Sequence, residues 1–206
     1  MKSFNTLFAA LLLAGAGTAV AASSVDLTVR GLITPSACEP TLPNGGNVDI
    51  GKISAKDLNT DKPTFLPHQA VPLTVTCDAA TLMALEPKDN RAGSEYENDG
   101  GLFGLGLINE SEKLGGMELR LSNATADGVA SRTIASSNNG STWRAMPYFQ
   151  KGDIMSVTTT DINTPTAVQV MTADMSIRPI IAPASSLTLT NEVVIDGSVT
   201  LTVKYL

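Results

Sequence analysis

The chain has 206 residues, of which 43% are hydrophobic and 17% charged, and its formal net charge is −6. The length suits one sizeable domain, and the composition excludes both a disordered, highly charged chain and a protein with many membrane spans. An acidic balance without clustered cations argues against a surface that binds nucleic acid.

The first 21 residues are predicted to be a secretory signal peptide, followed by one domain over residues 22–206. A positively charged start precedes an apolar run at 7–16, and small residues follow the run. We expect cleavage after Ala21 or Ala22. A retained membrane anchor is less favoured, because the run is about half of the roughly 20 residues that a bilayer span needs. The mature protein is therefore expected to be exported.

Export affects the interpretation of the two cysteines, Cys38 and Cys77. In an oxidising compartment they most simply form one disulfide, which would stabilise the fold by about 4 kcal/mol in the chain-entropy model. Two separate buried thiols are the alternative. A metal site is less favoured than either, because two cysteines and the single His68 do not make a tetrahedral ligand set.

A period of two dominates the chain after the leader and predicts an antiparallel, all-β protein with little helix. Apolar residues alternate with polar ones at 25–29 and at 71–75, as expected for half-buried strands. Further strands are predicted at 48–53, 117–121, 154–160, 168–177 and 199–205. Residues 79–85 would fit one or two helical turns, although they directly follow a strand.

Two segments are predicted to be loops. Residues 86–116 are rich in Gly, Asn and acids, and their apolar island at 102–108 predicts a long excursion with one embedded strand. Acids in this loop, such as Glu95 and Glu97, are expected to be solvated. The Asn-Gly step within 135–141 predicts a tight hairpin turn.

No arrangement of catalytic residues is apparent, so we assign none and expect a protein that is not an enzyme and needs no cofactor or metal. A hydrolase would need a nucleophile with a base, paired carboxylates or a metal. His68 is expected to be an ordinary surface or edge histidine. Trp143, Tyr148 and Phe149 cluster in a turn-rich segment, where aromatic rings either pack as core or stack on a sugar.

The C-terminal strand is the strongest functional signal. Apolar Val199, Leu201 and Val203 share one face with Tyr205, and the sequence stops at the next residue, Leu206. A strand in this position presents a free edge of N–H and C=O groups, which pairs with other chains unless something covers it. Either a further strand covers this edge or the strand is buried within the sheet.

Together these features resemble the subunits of chaperone-usher pili, and most of all the β-fimbrial subunits. The residues that carry the resemblance are the leader, Gly31 seven positions before Cys38 in VRGLITPSAC, VDIGKI at 48–53, the strand ending at Tyr205, a SACxP-like segment at 36–40 and a DNRAG-like loop at 89–93. The resemblance covers both ends of the mature chain, whereas the middle is not diagnostic.

The resemblance implies an immunoglobulin-like antiparallel β-sandwich that lacks its last strand and is completed by a donated one. A periplasmic chaperone would lend that strand first, and at the outer-membrane usher a neighbouring subunit would replace it. The protein would then be a structural subunit of a surface fimbria that serves adhesion or biofilm formation. The implied groove edge comprises Val199, Leu201, Val203, Tyr205 and Leu206, with the terminal carboxylate as chaperone anchor. Cys38 and Cys77 would join the first strand to a later one.

Two departures from the family pattern leave alternatives open. Family subunits often carry a glycine near the fourteenth position from the end, where Val193 stands here. If Val25, Leu27 and Val29 form the first strand, too few mature residues precede it to complete a neighbour. Those residues are then either the donor segment itself or part of a subunit that accepts a strand without giving one. The alternative function is a stand-alone secreted β-sandwich adhesin or carbohydrate-binding module for a host or surface glycan.

Overall fold

The computed structural model of the chain describes Thr28 and residues 37–206. The predicted leader, its cleavage position at Ala21 or Ala22, and the segment of Val25, Leu27 and Val29 lie outside the described residues. Within them the helices are three short 3-10 turns, at Pro43–Gly46, Ala55–Asp57 and Ala184–Ser186. None of the helices in the described residues is long and apolar enough to cross a bilayer.

The described strands are numbered in chain order. They are β1 (Cys38–Thr41), β2 (Thr64–Phe65), β3 (Gln69–Thr81), β4 (Met83–Asp89), β5 (Phe103–Gly104), β6 (Leu107–Ile108), β7 (Glu112–Lys113), β8 (Gly115–Ala126), β9 (Val129–Ala130), β10 (Arg132–Ser136), β11 (Arg144–Ala145), β12 (Ile154–Thr158), β13 (Val168–Ile181) and β14 (Val199–Tyr205). The first sheet has the order β1-β3-β13-β8-β5, with β2 beside β13 and β9 beside β8. The second sheet has the order β11-β10-β12-β4-β14, and β6 and β7 form a separate ribbon.

The two larger sheets share one apolar core, which confirms the predicted all-β antiparallel sandwich. Alternation along each strand sends every second side chain inward. Leu73 of β3 and Met175 of β13 come from the first sheet, while Leu85 of β4 and Met155 of β12 come from the second, and each is at most 4% exposed. Burial of such a side chain stabilises the fold by roughly 1.5–3 kcal/mol.

Most predicted strands correspond to observed ones. Residues 71–75 lie in β3, residues 117–121 in β8, and residues 199–205 coincide with β14. The strand predicted at 154–160 ends two residues early in β12, and the one at 168–177 continues to Ile181 in β13. β13 gains that length because its last residues pair with β8 on one side and, at Ile180 and Ile181, with β2 on the other.

One predicted strand is wrong, and the helical turns that residues 79–85 would fit do not form. Residues 48–53 form no strand, because Gly51 adopts a left-handed φ of +71° and donates its N–H to a carboxylate oxygen of Asp49 at 2.8 Å. That local turn takes the donor that a sheet ladder would have used. Residues 79–85 form no helical turn either. They connect the end of β3 to the start of β4, where strand pairing in both sheets outweighs the weak helical preference of a short apolar run.

The segment 86–116 is more ordered than a simple excursion. Its first residues continue β4 to Asp89, and β5, β6 and β7 all lie within it, so it holds three short strands where one was predicted. The apolar island is buried, with Phe103 0% and Leu105 2% exposed. The loop is therefore folded onto the core by its apolar side chains.

The predicted Asn-Gly turn is confirmed and follows β10 on its way to β11. Asn139 and Gly140 have φ values of +59° and +91°, the left-handed region that this dipeptide tolerates. The N–H of Ser141 donates to the carbonyl of Asn138 at 3.3 Å, which closes the turn.

β4 is joined very differently to its two neighbours. It pairs with β14 over seven residue pairs, but with β12 through one pair, Met155 with Leu85. Asn90 donates its N–H to the carbonyl of Ser198 at 3.0 Å. Because backbone groups alternate in direction along a strand, the N–H and C=O groups of even-numbered β4 residues point towards β14, and those of odd-numbered residues point towards β12. Pro87 thus faces β12 without an N–H to donate, and the ladder stops there.

Candidate functional site

An apolar groove opens between the outermost strands of the two sheets, and we call it the edge groove. β1 ends the first sheet and β14 ends the second. Two adjoining cavities of about 350 and 420 Å³ occupy the space between them. Leu42 lines both cavities from the β1 side, as Val199 and Leu201 do from β14. The floor is apolar and includes Leu73, Leu105, Met117, Leu119, Met175 and Ile177.

The side chains of β14 alternate as the sequence predicted. Val199, Leu201 and Val203 are half-buried and pack against the core, whereas the intervening Thr200 and Thr202 are exposed. Beyond them, Tyr205 and Leu206 are 41% and 45% exposed. The predicted edge residues thus lie along β14 and just beyond it: Val199 and Leu201 line the groove, Val203 packs against the core, and Tyr205 and Leu206 follow at the exposed end.

The backbone of β14 has one satisfied side and one open side. Leu206 donates its N–H to the carbonyl of Leu82 at 3.1 Å, and the carbonyl of Ser198 accepts from Asn90. In an antiparallel ladder such residues alternate with ones that point the opposite way. The N–H and C=O groups of Val199, Leu201 and Val203 therefore point away from β4, to a side where no other described strand pairs with β14.

The facing edge of β1 has fewer free backbone groups to pair with an added strand. Asp78 donates its N–H to the carbonyl of Ala37, so by the same alternation Cys38 and Pro40 direct their backbone groups to the outer side. The N–H of Cys38 already donates to the hydroxyl of Tyr205 at 3.0 Å, and Pro40 has no N–H. Neither residue leaves a free donor on this edge.

A disulfide between Cys38 and Cys77 fixes β1 to β3, as the sequence predicted. The two residues are register partners across the strands, although 39 positions separate them in sequence. Cys77 is 2% exposed and belongs to the core, so the bridge anchors the β1 wall of the groove to the interior.

The DNRAG-like loop at 89–93 holds the chain just before β14. The guanidinium of Arg91 donates two hydrogen bonds to Asp196, from Nε to one carboxylate oxygen at 2.9 Å and from Nη2 to the other at 2.8 Å. The hydrogen bond from Arg91 lowers the pKa of Asp196. Asp89 accepts the N–H of Gly104 at 2.9 Å, which ties the loop to β5. The sequence marked this loop by family likeness but gave no sign of its partner.

Glu95 is not solvated, so that prediction is wrong for this residue. Glu95 is 8% exposed, and its carboxylate accepts hydrogen bonds of 2.7 Å from Lys151 and from the N–H of Gly93. Burial opposes its ionisation, but those bonds outweigh burial and keep the pKa of Glu95 below its ordinary value of 4.5. The pair contributes stability above that pH and loses it as acid protonates the carboxylate. Glu97 is exposed, as predicted.

The predicted aromatic cluster divides between core and surface. Phe149 is 1% exposed in the core, and Trp143 is half-buried with its indole N–H donating to the carbonyl of Gly140 at 3.0 Å. Tyr148 is 40% exposed. His68 is exposed, as expected, with Nδ1 3.0 Å from the hydroxyl oxygen of Ser176.

An extended segment, 187–195, packs beside the edge groove without joining a sheet. Its apolar side chains contact the core, and a further cavity of about 600 Å³ lies between it and residues 48–53. Val193, at the position where family subunits often carry glycine, is one of those core contacts. At Gly197 an added Cβ would lie 2.9 Å from a methyl carbon of Leu105, so a larger residue there would require that side chain to shift.

The fold is thus an antiparallel β-sandwich with an open apolar groove at one strand edge. Residues 27–119 match a family described as a protein of unknown function, DUF1120. This stretch contains both cysteines and the DNRAG-like loop but ends before β14.

Two proteins of Escherichia coli (strain K12) are similar to this chain. "Uncharacterized protein YhcF" is 30% identical over 156 residues, which is 63% of this chain and 66% of that protein, just under two thirds of its length. "Protein GltF" is 27% identical over 243 aligned positions, which cover 96% of this chain and 95% of that protein. Neither name states an activity.

Proposed function

We propose that the protein is an exported structural subunit of a bacterial surface fimbria, assembled by the chaperone-usher route through strand donation. The observation that carries this proposal is the state of β14. Its apolar side chains lie in the edge groove, and its outward backbone N–H and C=O groups point to a side that no described strand occupies. One added strand would cover the apolar groove and pair with these backbone groups. The partners would be a periplasmic chaperone, an outer-membrane usher and other fimbrial subunits.

The dimensions of β14 specify the incoming strand. Its seven residues span about 23 Å at ~3.3 Å per residue. A donor of about that length would place alternate side chains over the apolar floor, each contributing roughly 1.5–3 kcal/mol when buried. Its backbone would add hydrogen bonds of about 0.5–1.5 kcal/mol each along Val199, Leu201 and Val203. The donor should therefore alternate apolar and polar residues, as in β-strand addition generally.

Charge inside the groove tests this proposal. Leu201→Asp places a carboxylate on the face that the donor must cover, so we expect chaperone capture to be lost and the subunit to be degraded in the periplasm. Thr202→Asp is the matched control, because the neighbouring side chain is exposed on the opposite face. The measurement is the periplasmic level of each variant, with and without the chaperone, and its co-purification with that chaperone.

The two variants give opposed outcomes. A periplasmic level that falls for the Leu201→Asp variant and stays normal for the Thr202→Asp variant supports strand donation at this edge. Accumulation of Leu201→Asp at the level of the unmodified protein, in cells without the chaperone, contradicts it. Equal loss of both variants would also contradict it, since β14 would then be sensitive to any charge rather than to charge in the groove.

A stand-alone secreted adhesin or carbohydrate-binding module is the second candidate, and the exposed ring of Tyr148 favours it. Such a module would complete its own sheet edges and remain monomeric. Electrophoresis of the exported protein without heating separates the candidates. A heat-labile ladder of high-mass species supports the fimbrial subunit, whereas a single monomer that refolds alone supports the module.

A further inference from the structure

The outer face of the first sheet carries two arginines without polar partners. Within the described residues, no hydrogen bond or ion pair engages the guanidinium of Arg120 or Arg178, although Arg178 Nε is buried. The other described arginines are all engaged: Arg91 with Asp196, Arg132 with the carbonyl of Thr160, and Arg144 with Asp153. The two free guanidiniums therefore differ from every other described arginine.

Strand register brings these two arginines together. Arg120 on β8 is the register partner of Ser176 on β13, and Arg178 lies two residues further along β13. Diagonal neighbours of this kind lie about 7–8 Å apart on the same face of a sheet. The two arginines are thus diagonal neighbours on one face of the first sheet.

Each guanidinium lies against an exposed aromatic ring. The guanidinium carbon of Arg120 is 5.7 Å from the ring centre of Tyr148, and that of Arg178 is 4.4 Å from the ring centre of Phe65. The rings remain 40% and 52% exposed. We call these four residues the arginine–aromatic patch.

Backbone hydrogen bonds hold both rings in place. The N–H of Phe149 donates to the carbonyl of Leu119 at 2.9 Å, which fixes Tyr148 beside β8. On the other side, Leu66 donates its N–H to the carbonyl of Pro179 at 2.9 Å, which fixes Phe65 beside β13. The two aromatic residues therefore belong to backbone segments that are hydrogen-bonded to the central strands β8 and β13.

Neighbouring polar groups complete the site. Ser176 lies beside Arg120 and is 3.0 Å from the Nδ1 of His68. Glu118 is the register partner of Arg178 but forms no ion pair with it. These side chains supply both donors and acceptors for hydroxyl groups, next to two guanidiniums that lack acceptors.

We propose that the arginine–aromatic patch binds an anionic saccharide, a sugar that carries a carboxylate or sulfate group. A guanidinium presents a planar fork that matches a carboxylate or sulfate in a bidentate manner. The exposed rings offer flat apolar surfaces for the sugar ring, and the polar neighbours pair with its hydroxyls. Two cations in a chain of net charge −6 suit one or two acidic groups, whereas a nucleic-acid backbone needs a longer track of cations.

Binding of defined polysaccharides to the full-length exported protein tests the site. The probes are polygalacturonate, which carries carboxylates, heparin, which also carries sulfates, and neutral dextran, with inorganic sulfate as the free anion. We expect polygalacturonate or heparin to bind and dextran not to bind, with affinity falling as salt rises. The polymer that binds identifies the acidic group, and inorganic sulfate alone should bind more weakly because it lacks a ring to stack.

Three substitutions make the test specific. Arg120→Gln and Arg178→Gln should each weaken binding about tenfold or more, the expected effect of losing a charge-assisted hydrogen bond. Tyr148→Ala should weaken binding while it keeps both guanidiniums. Arg132→Gln is the matched control, because it removes the same charge from the second sheet. Thermal unfolding of each variant verifies that it remains folded.

Two results would overturn the proposal. One is the same weak retention of acidic and neutral polysaccharides by the unmodified protein. The other is an equal loss of affinity in Arg132→Gln and Arg120→Gln, which would reduce the effect to net charge. The patch lies on the outer face of the first sheet, away from the free edge of β14, so this result and the fate of Leu201→Asp are independent.

Discussion

The two strands that face each other across the edge groove are unequal. β14 carries an unbroken alternation of apolar and polar side chains, and its outward backbone groups have no strand partner among the described residues. β1 is shorter, has Pro40 on its outer side and is fixed to β3 by a disulfide. One edge is therefore chemically able to extend its sheet, while the other is blocked and anchored.

This inequality shows how the groove can present one open strand edge while the facing edge is closed. A free edge is an aggregation hazard, and proline or a covalent anchor limits it. Here the blocked edge forms a fixed wall, so an added strand would be directed to β14 alone. The wall and the open edge also touch, because the hydroxyl of Tyr205 accepts the N–H of Cys38.

Among the changes that test the difference between the two edges, removal of the disulfide should have the largest effect on stability. The double substitution Cys38→Ala and Cys77→Ala should lower the free energy of unfolding by about 2–5 kcal/mol, since the bridge closes a long loop and anchors β1. Urea unfolding measures the change, and reduction of the unmodified protein is the control. A change well below 1 kcal/mol would show that other contacts, and not the disulfide, hold β1 in place.

Loss of the contact between the two edges should have a smaller effect. Tyr205→Phe removes the hydroxyl that accepts from Cys38 and should cost about 1 kcal/mol of unfolding free energy. Tyr148→Phe is the matched control, since no hydrogen bond engages its hydroxyl within the described residues. Equal effects of the two substitutions in urea unfolding would indicate that the contact between β1 and β14 is energetically silent.

The smallest effect should come from the ion pair that precedes β14. Asp196→Asn weakens the contact with Arg91, and because surface ion pairs contribute little we expect amide exchange at the start of β14 to rise less than about fivefold at neutral pH. The pKa of Asp196 is lowered by its hydrogen bond from Arg91, so the stabilisation holds above the ordinary value of 3.8 and is lost as pH falls below it.

Exchange measured against pH checks this prediction. After correction for intrinsic rates, protection of the β14 amides in the unmodified protein should fall below pH 3.8, whereas in Asp196→Asn it should change little. Identical pH profiles for the two proteins would show that the ion pair does not hold the open edge in place.

Much of the framework could be predicted from sequence because it depends on alternation and on one residue pair. The bounds of β14 and the bridge between Cys38 and Cys77 follow from those local signals. The strand predicted at 48–53 failed because Asp49 captures the N–H of Gly51, a side-chain effect that a period of two does not register.

The side-chain clusters were harder to predict because they depend on strand register. Arg120 and Arg178 are 58 positions apart in sequence and become neighbours through the pairing of β8 with β13. Lys151 reaches Glu95 across a similar gap, so a carboxylate in an acidic, Gly-rich loop turned out to be buried and paired. Local composition carries no information about such partners.

The single pairing between β4 and β12 has a mechanical consequence. A force that pulls on β14 is shared along seven register pairs with β4, but passes to the rest of the second sheet through one register pair beside Pro87 and one hydrogen bond from the Ser156 hydroxyl to the carbonyl of Met83. Shear along a long ladder loads many hydrogen bonds at once, whereas a short junction gives way one bond at a time. Under tension the two C-terminal partners should stay together as a hairpin-like unit, and the seam at Pro87 should yield first.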